Sequence, residues 1–208
     1  MNNQPKQKLG FLLGTFDPIH NGHIHILEMV KSYLELDTAL LVPLYDAPHK
    51  DNSIVATPKE RVLMCELACN SLALETSSLI VAHKISGYSL ELISIIRKQY
   101  PTEQLFYILG SDVFSSILKW SSLSEMISMV EFCVVLRNHD ALKEMLLIKK
   151  ELENKNAKVH ICEFPIKEIS SSYIKANYMS HENIKELIPP SVEEYIKKHL
   201  LYQVKKPI

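Results

Sequence analysis

Glycine is scarce in this 208-residue chain: there are five, and Gly14, Gly22, Gly87 and Gly110 stand beside short polar motifs. So few glycines argue against generally loose loops and point instead to special backbone geometry at a site. Cysteine is equally sparse. Cys65, Cys69, Cys133 and Cys162 lie in apolar segments with no Cys-x-x-Cys pair, which argues for reduced core thiols over a disulfide frame or a zinc site. Only Cys65 and Cys69, one helical turn apart, leave a metal half-site open. There is no excess of either charge, with 23 basic and 24 acidic residues, so no global field draws nucleic acid or membrane, and any anion site must be local. The expected partner is small. No apolar run approaches membrane-spanning length, and the polar start Met1-Asn-Asn-Gln-Pro-Lys-Gln-Lys8 lacks an apolar signal core, so the expected location is the cytoplasm. Without a repeat, low-complexity tract or flexible linker, residues 1–208 read as one domain, with residues 1–7 as a disordered tail.

What the chain does have begins at residues 9 to 23. Leu9 to Leu13 is an apolar run suited to a strand buried on both faces, and Gly14 ends it where the backbone must bend or approach a ligand. Pro18 interrupts regular structure until Asn21-Gly22, a turn pair able to cap a helix starting near His23. His20 and His23 then stand at a helix N-terminus, where free N–H groups and the helix dipole favour an anion. Taken alone, a His-x-x-His pair is equally a metal half-site or two surface histidines.

Downstream, apolar residues at helical spacing from Ile24 to Leu36 lead into a second strand, Thr38 to Val42. Thr57-Pro-Lys-Glu60 is a capping box with proline at the first helical position. Leu79 to Ala82 reads as a short strand. A helix from Gly87 to about Gln99 and a strand from Gln104 to Leu109 follow. Glu131 to Leu136 reads as a strand, Asp140 to about Asn154 as a helix, and Lys158 to Cys162 as a last strand. Strands alternating with helices imply an α/β fold: a doubly wound, Rossmann-like, mostly parallel sheet with helices on both faces, closed by a helical C-terminal segment. Asp112, just past a strand end at Gly110, is placed either to hold a ligand hydroxyl or to cap its helix. Trp120 is the only tryptophan, a core aromatic by composition alone, and the serines at 170 to 172 read as a helix cap.

The string Gly14-Thr-Phe-Asp-Pro-Ile-His-Asn-Gly-His23 resembles the His-x-Gly-His signature of the nucleotidyltransferase superfamily, and in detail that of the nicotinate-nucleotide adenylyltransferases. Four further segments are similar to that family's motifs in the same order. They are Pro48-His49-Lys50, Gly87-Tyr88-Ser89, Gly110-Ser-Asp112 with Trp120, and Ile169-Ser-Ser-Ser-Tyr-Ile-Lys175. Arg61 and Met64 match the family's Arg-x-x-Met, although an exposed arginine, a structural one and a substrate contact all fit there. Leu13, Leu92 and Lys175 depart from the family's glycine, threonine and arginine.

The resemblance implies adenylyl transfer from ATP to nicotinate mononucleotide, giving the dinucleotide and pyrophosphate in NAD synthesis. Its catalytic residues would be His20 and His23. ATP would meet Gly14, Thr15, Phe16, His20, His23, Gly110, Ser171 and Lys175, while the acceptor would meet Asp17, Lys50, Tyr88, Ser89, Asp112 and Trp120. Mg²⁺ would be held mainly by ATP phosphates, with no protein metal cage. Two alternatives keep the fold: the same chemistry on another acceptor such as pantetheine phosphate, or a nucleotide-binding protein without catalysis.

Overall fold

The computed structural model describes residues 5–46, 54–70, 72–85, 89–136, 142–166, 169–179 and 182–203. Its strands are β1 (Lys8–Gly14), β2 (Thr38–Pro43), β3 (Glu75–Thr76), β4 (Gln104–Gly110), β5 (Glu131–Val135) and β6 (Val159–Cys162). They form one six-stranded sheet in the order β3-β2-β1-β4-β5-β6. That order, running outward in both directions from β1 and β4, is the doubly wound Rossmann-like arrangement expected from the alternating pattern. Parallel pairing joins β1 to β4, β4 to β5 and β5 to β6, with Phe11 opposite Tyr107 and Ile108 opposite Cys133. Because helices return each strand in the same direction, these strands are covered on both faces, and every residue of β5 is buried.

The helices are α1 (Asn21–Leu34), α2 (Pro58–Cys69), α3 (Leu79–Ala82), α4 (Ser89–Gln99), α5 (Ser111–Phe114), α6 (Leu123–Met129), α7 (Leu142–Glu153), α8 (Ser171–Asn177) and α9 (Pro190–Lys198). The strand expected at Leu79 to Ala82 is instead α3, closed by the Ala82 N–H donating to Ser78 O at 2.8 Å. Four apolar residues are too short a run for periodicity to separate strand from helix, and the pairing falls upstream at Glu75–Thr76. α1 also starts earlier than expected. Asn21 is its first residue rather than its cap, and its side-chain amide donates to Glu186 O at 2.9 Å.

The chain divides into two compact units. The first comprises Met1–Leu13, Ile26–Leu40 and Gly87–Ile166. Its core is built on β4 and β5, where the Phe11 and Tyr107 rings stack at 5.3 Å. Gly10 lets Leu36 and Ile108 pack against the strand there, since a Cβ would push the Leu36 side-chain end aside and crowd Ile108. At the strand starts, Glu131 accepts from Gln104 at 2.7 Å and Lys158 at 2.8 Å and meets His160 Nε2 at 2.8 Å. The second unit comprises Gly14–His25, Leu41–Ser86 and Lys167–Ile208. In it α2 starts with the expected capping box, Thr57 and Glu60 exchanging bonds at 3.3 and 2.7 Å. α9 buries Val192 and Ile196, one turn apart, and Ser191 Oγ donates to Leu67 O of α2 at 2.9 Å. Burying each such side chain stabilises the unit by about 1.5–3 kcal/mol. Among the described residues no helix is long and apolar enough to cross a membrane.

Candidate functional site

The signature string lies in the second unit, between the end of β1 and the first turn of α1. Phe16 takes a left-handed backbone conformation with φ of 50°, which costs a non-glycine residue about 1–2 kcal/mol. Its buried ring offsets that cost and explains Gly14, because a Cβ there would lie 2.6 Å from Phe16 Cε1. The same ring meets His23 edge-on at 5.0 Å. The Asp17–Pro18 peptide is cis.

His20 occupies the capping position of α1. Its carbonyl accepts from the His23 and Ile24 N–H groups, and its Nδ1 accepts from the His23 N–H at 3.3 Å. With Nδ1 as acceptor, the neutral ring carries its hydrogen on Nε2 and presents a donor there. The His20 and His23 rings stack 3.6 Å apart at 18°. Two imidazolium charges at that spacing repel, so the pair suits directed hydrogen bonding better than two full charges. The first turn of α1 carries no acidic side chain to oppose an anion at the helix start.

Two buried ionic side chains hold this loop. Arg61 of α2 is fully buried; Nη1 donates to Thr15 O and Leu44 O at 2.7 Å each, and Nη2 to Tyr45 O at 2.8 Å. Burial pushes its guanidinium pKa down, while the Asp17 charge opposes that shift. Of the roles open to Arg61, the structural one is what this geometry serves. Asp17, expected to touch the acceptor, has both oxygens engaged by four protein donors: Val55 N–H and Ala56 N–H at 3.0 Å, and Lys175 Nζ and Tyr202 Oη at 2.7 Å. Burial drives its carboxyl pKa up, but Lys175, the two N–H groups and Tyr202 more than offset this and hold it below the usual value.

α8 begins as the serine cluster suggested, with Ser170 Oγ accepting from Tyr173 N–H at 3.4 Å. Ser171 Oγ donates to Pro18 O at 2.9 Å, so this helix start is fastened to the signature loop. Lys175, one turn on, is mostly buried and forms the Asp17 ion pair at 2.7 Å. The second unit therefore brings together Gly14, Thr15, Phe16, Asp17, His20, His23, Ser171 and Lys175. Lys50 and Tyr88 lie outside the described residues.

In the first unit, Gly110 caps α5 with an ordinary extended backbone, φ −76° and ψ 156°. Asp112, two residues on, is exposed on the first turn of that helix. Trp120 follows the 3-10 turn Ile117–Lys119, half-buried, with Nε1 donating to Ser116 Oγ at 3.2 Å. It is not one of the fully buried core residues that composition alone suggested. The Ser89 hydroxyl pairs with Tyr107, whose phenol pKa is pushed up to about 12 by burial, the Ser89 bond opposing. Sequence reasoning missed Tyr107 and Tyr202 altogether, as each looks like an apolar aromatic whose polar tip finds a partner far along the chain. Among the described residues no cluster of three His, Cys, Asp or Glu side chains could hold a metal.

A profile of the cytidylyltransferase-like family matches residues 11–177. A Clostridium tetani protein named "Probable nicotinate-nucleotide adenylyltransferase" is 33% identical over 192 residues, covering 91% of this chain and 96% of its own length. A protein of the same name from Neisseria meningitidis serogroup C is 30% identical, covering 95% of this chain and 99% of its own. The solved structure of a Plasmodium falciparum nicotinic acid mononucleotide adenylyltransferase complexed with NaAD superposes with a TM-score of 0.74 over 96% of this chain and 98% of that one. At 20% identity, this last likeness speaks to the fold.

Proposed function

We propose that this chain, which belongs to the cytidylyltransferase-like family and within it to the nicotinate-nucleotide adenylyltransferases, transfers the adenylyl group of ATP to nicotinate mononucleotide in the cytoplasm. The observation that carries the reading is the stacked His20–His23 pair at the start of α1, whose first turn carries no acidic side chain. A phosphate oxygen of the acceptor forms the new bond to the α-phosphorus as the bond to the β-phosphate oxygen breaks, and that electron pair leaves with pyrophosphate. The attacking phosphate is already anionic, so no protein nucleophile is needed; the protein's task is alignment and charge neutralisation.

His20 Nε2–H and His23 donate to the phosphates where charge accumulates on the leaving group, beside the first N–H groups of α1. Gly14, Thr15 and Phe16 form the floor beneath the nucleotides, and Gly110 admits ATP. Ser171 and Lys175 approach the ATP phosphates from α8. Lys175 Nζ also donates to Asp17 Oδ2 at 2.7 Å. Ser89, Asp112 and Trp120 serve the acceptor, the Trp120 indole by stacking on the pyridine ring. Mg²⁺, held mainly by ATP oxygens, would supply further neutralisation of phosphate charge, and the four donors on Asp17 leave that carboxylate committed to the protein.

The test is a coupled pyrophosphate-release assay with ATP, Mg²⁺ and a panel of nicotinate mononucleotide, nicotinamide mononucleotide and phosphopantetheine. Turnover is expected with the nicotinate nucleotide. Release only with phosphopantetheine would move the chain to that acceptor, and ATP binding without release on any acceptor would make it a non-catalytic nucleotide-binding protein. Four buried, unbridged cysteines support the cytoplasmic assignment.

A further inference from the structure

The Asp17 carboxylate stands three residues before His20 and reaches three separate stretches of the second unit. Oδ2 accepts from Val55 N–H and from Lys175 Nζ, while Oδ1 accepts from Ala56 N–H and from the Tyr202 hydroxyl. Tyr202 lies beyond α9, 185 residues from Asp17, is 4% exposed, and packs its ring edge-on against Tyr178 at 6.4 Å. Its backbone takes φ of 59°, a conformation costly for a bulky residue. A hydroxyl delivered there by the end of the chain, onto the residue at the centre of the signature loop, is more than surface packing requires.

We propose that Tyr202 is a positioning residue for adenylyl transfer: by donating to Asp17 Oδ1, the C-terminal segment holds the loop that carries His20 in its working geometry. The inference rests on the function proposed above. Asp17 is thereby reassigned from substrate contact to the hub of this clamp, because a substrate hydroxyl would have to displace a protein donor to reach either oxygen. The clamp differs from the α8 contacts at Lys175 and Ser171, since Tyr202 holds the loop through its hydroxyl bond to Asp17.

Tyr202→Phe removes one oxygen and keeps the ring against Tyr178, and Asp17 keeps its other donors, so the full-length variant should fold with a cooperative melt. Its kcat is expected to fall about tenfold, with KM for nicotinate mononucleotide within about twofold, because geometry rather than acceptor binding is lost. The acid limb of its kcat–pH profile should move to higher pH, since Asp17 loses a donor that favours the carboxylate. Asp17→Asn should cost about a hundredfold in kcat, and adding Tyr202→Phe to it less than about twofold more, because both act through one contact. Wild-type kcat in Tyr202→Phe, an unmoved acid limb, or losses that multiply in the double variant would overturn the proposal. If Asp17→Asn does not fold, the kcat and acid limb of Tyr202→Phe decide alone. If the wild type releases no pyrophosphate with any acceptor, the functional reading fails separately. ATP calorimetry on the same proteins then decides this inference: about fivefold weaker binding in Tyr202→Phe and no further loss beside Asp17→Asn supports it, and multiplied or absent losses overturn it.

Discussion

Replacing Arg61 by methionine would remove the buried guanidinium while roughly keeping the bulk of α2's inner face. Thr15 O, Leu44 O and Tyr45 O would each lose their Arg61 donor. At the low end of the cost of an unsatisfied buried acceptor, about 1 kcal/mol each, the loss is about 3 kcal/mol. The low end applies because methionine also relieves two costs. The guanidinium no longer has to be desolvated, and its Nε, buried with no partner among the described residues, disappears. For a domain of this size the loss corresponds to a Tm lower by about 6–12 °C. With a urea slope of about 2 kcal/mol/M, the unfolding midpoint falls by about 1.5 M. Thr15 belongs to the signature loop, so kcat, measured where the variant is still folded, should fall as well. Far-UV circular dichroism in urea gives the first number and pyrophosphate release the second. A midpoint within about 0.3 M of wild type, with kcat unchanged, would refute the view that Arg61 holds this loop through its carbonyls.

His23→Ala should lower kcat about a hundredfold, a loss of about 3 kcal/mol of transition-state stabilisation, with a smaller rise in KM for ATP; steady-state pyrophosphate release measures it. Trp120→Ala should weaken nicotinate mononucleotide while leaving ATP affinity little changed, and Trp120 fluorescence should report acceptor binding in the wild type; equal losses for both ligands would indicate a packing role. Burial raises the Glu131 carboxyl pKa, but bonds from Lys158, His160 and Gln104 more than offset this and depress it. A depressed carboxylate stabilises the fold above its unfolded value of about 4.3 and loses that contribution as pH falls through the folded value, so Glu131→Gln should cost about 1–2 kcal/mol at pH 7 in urea titrations and progressively less as the pH is lowered below about 4.

Much of the architecture was legible because it is written in local periods. The apolar run before Gly14, the stripe after His23 and the Thr57 capping box each specify their element within a few residues, and β1, α1 and α2 follow. The parallel pairing follows from repeated strand–helix alternation, since each helical return brings the next strand back in the same direction. Leu79 to Ala82 failed for the opposite reason. Four apolar residues satisfy either period, and the choice was made by the Ser78 carbonyl and the neighbouring pairing at β3.

The loop's internal ties are a different kind of information. Arg61 reaches Thr15 across 46 residues, Lys175 reaches Asp17 across 158, and Tyr202 reaches it across 185. No local pattern encodes such a pair. Each member looks like an ordinary polar or aromatic residue on its own element, and only burial makes the pairing compulsory, because an unpaired charge inside the unit would cost several kcal/mol. The Lys175 departure from arginine shows how this bears on function. A guanidinium at 175 would offer a planar fork to two phosphate oxygens, whereas an ammonium gives single, freely directed bonds, and one of these is spent on Asp17 at 2.7 Å. The lysine thus joins α8 to the same carboxylate that Tyr202 holds. Under the proposed phosphate role of Lys175, an anion that draws the lysine forward would also load Asp17, and through it Tyr202 and the backbone at Val55 and Ala56, so phosphate binding and loop position would change together rather than separately.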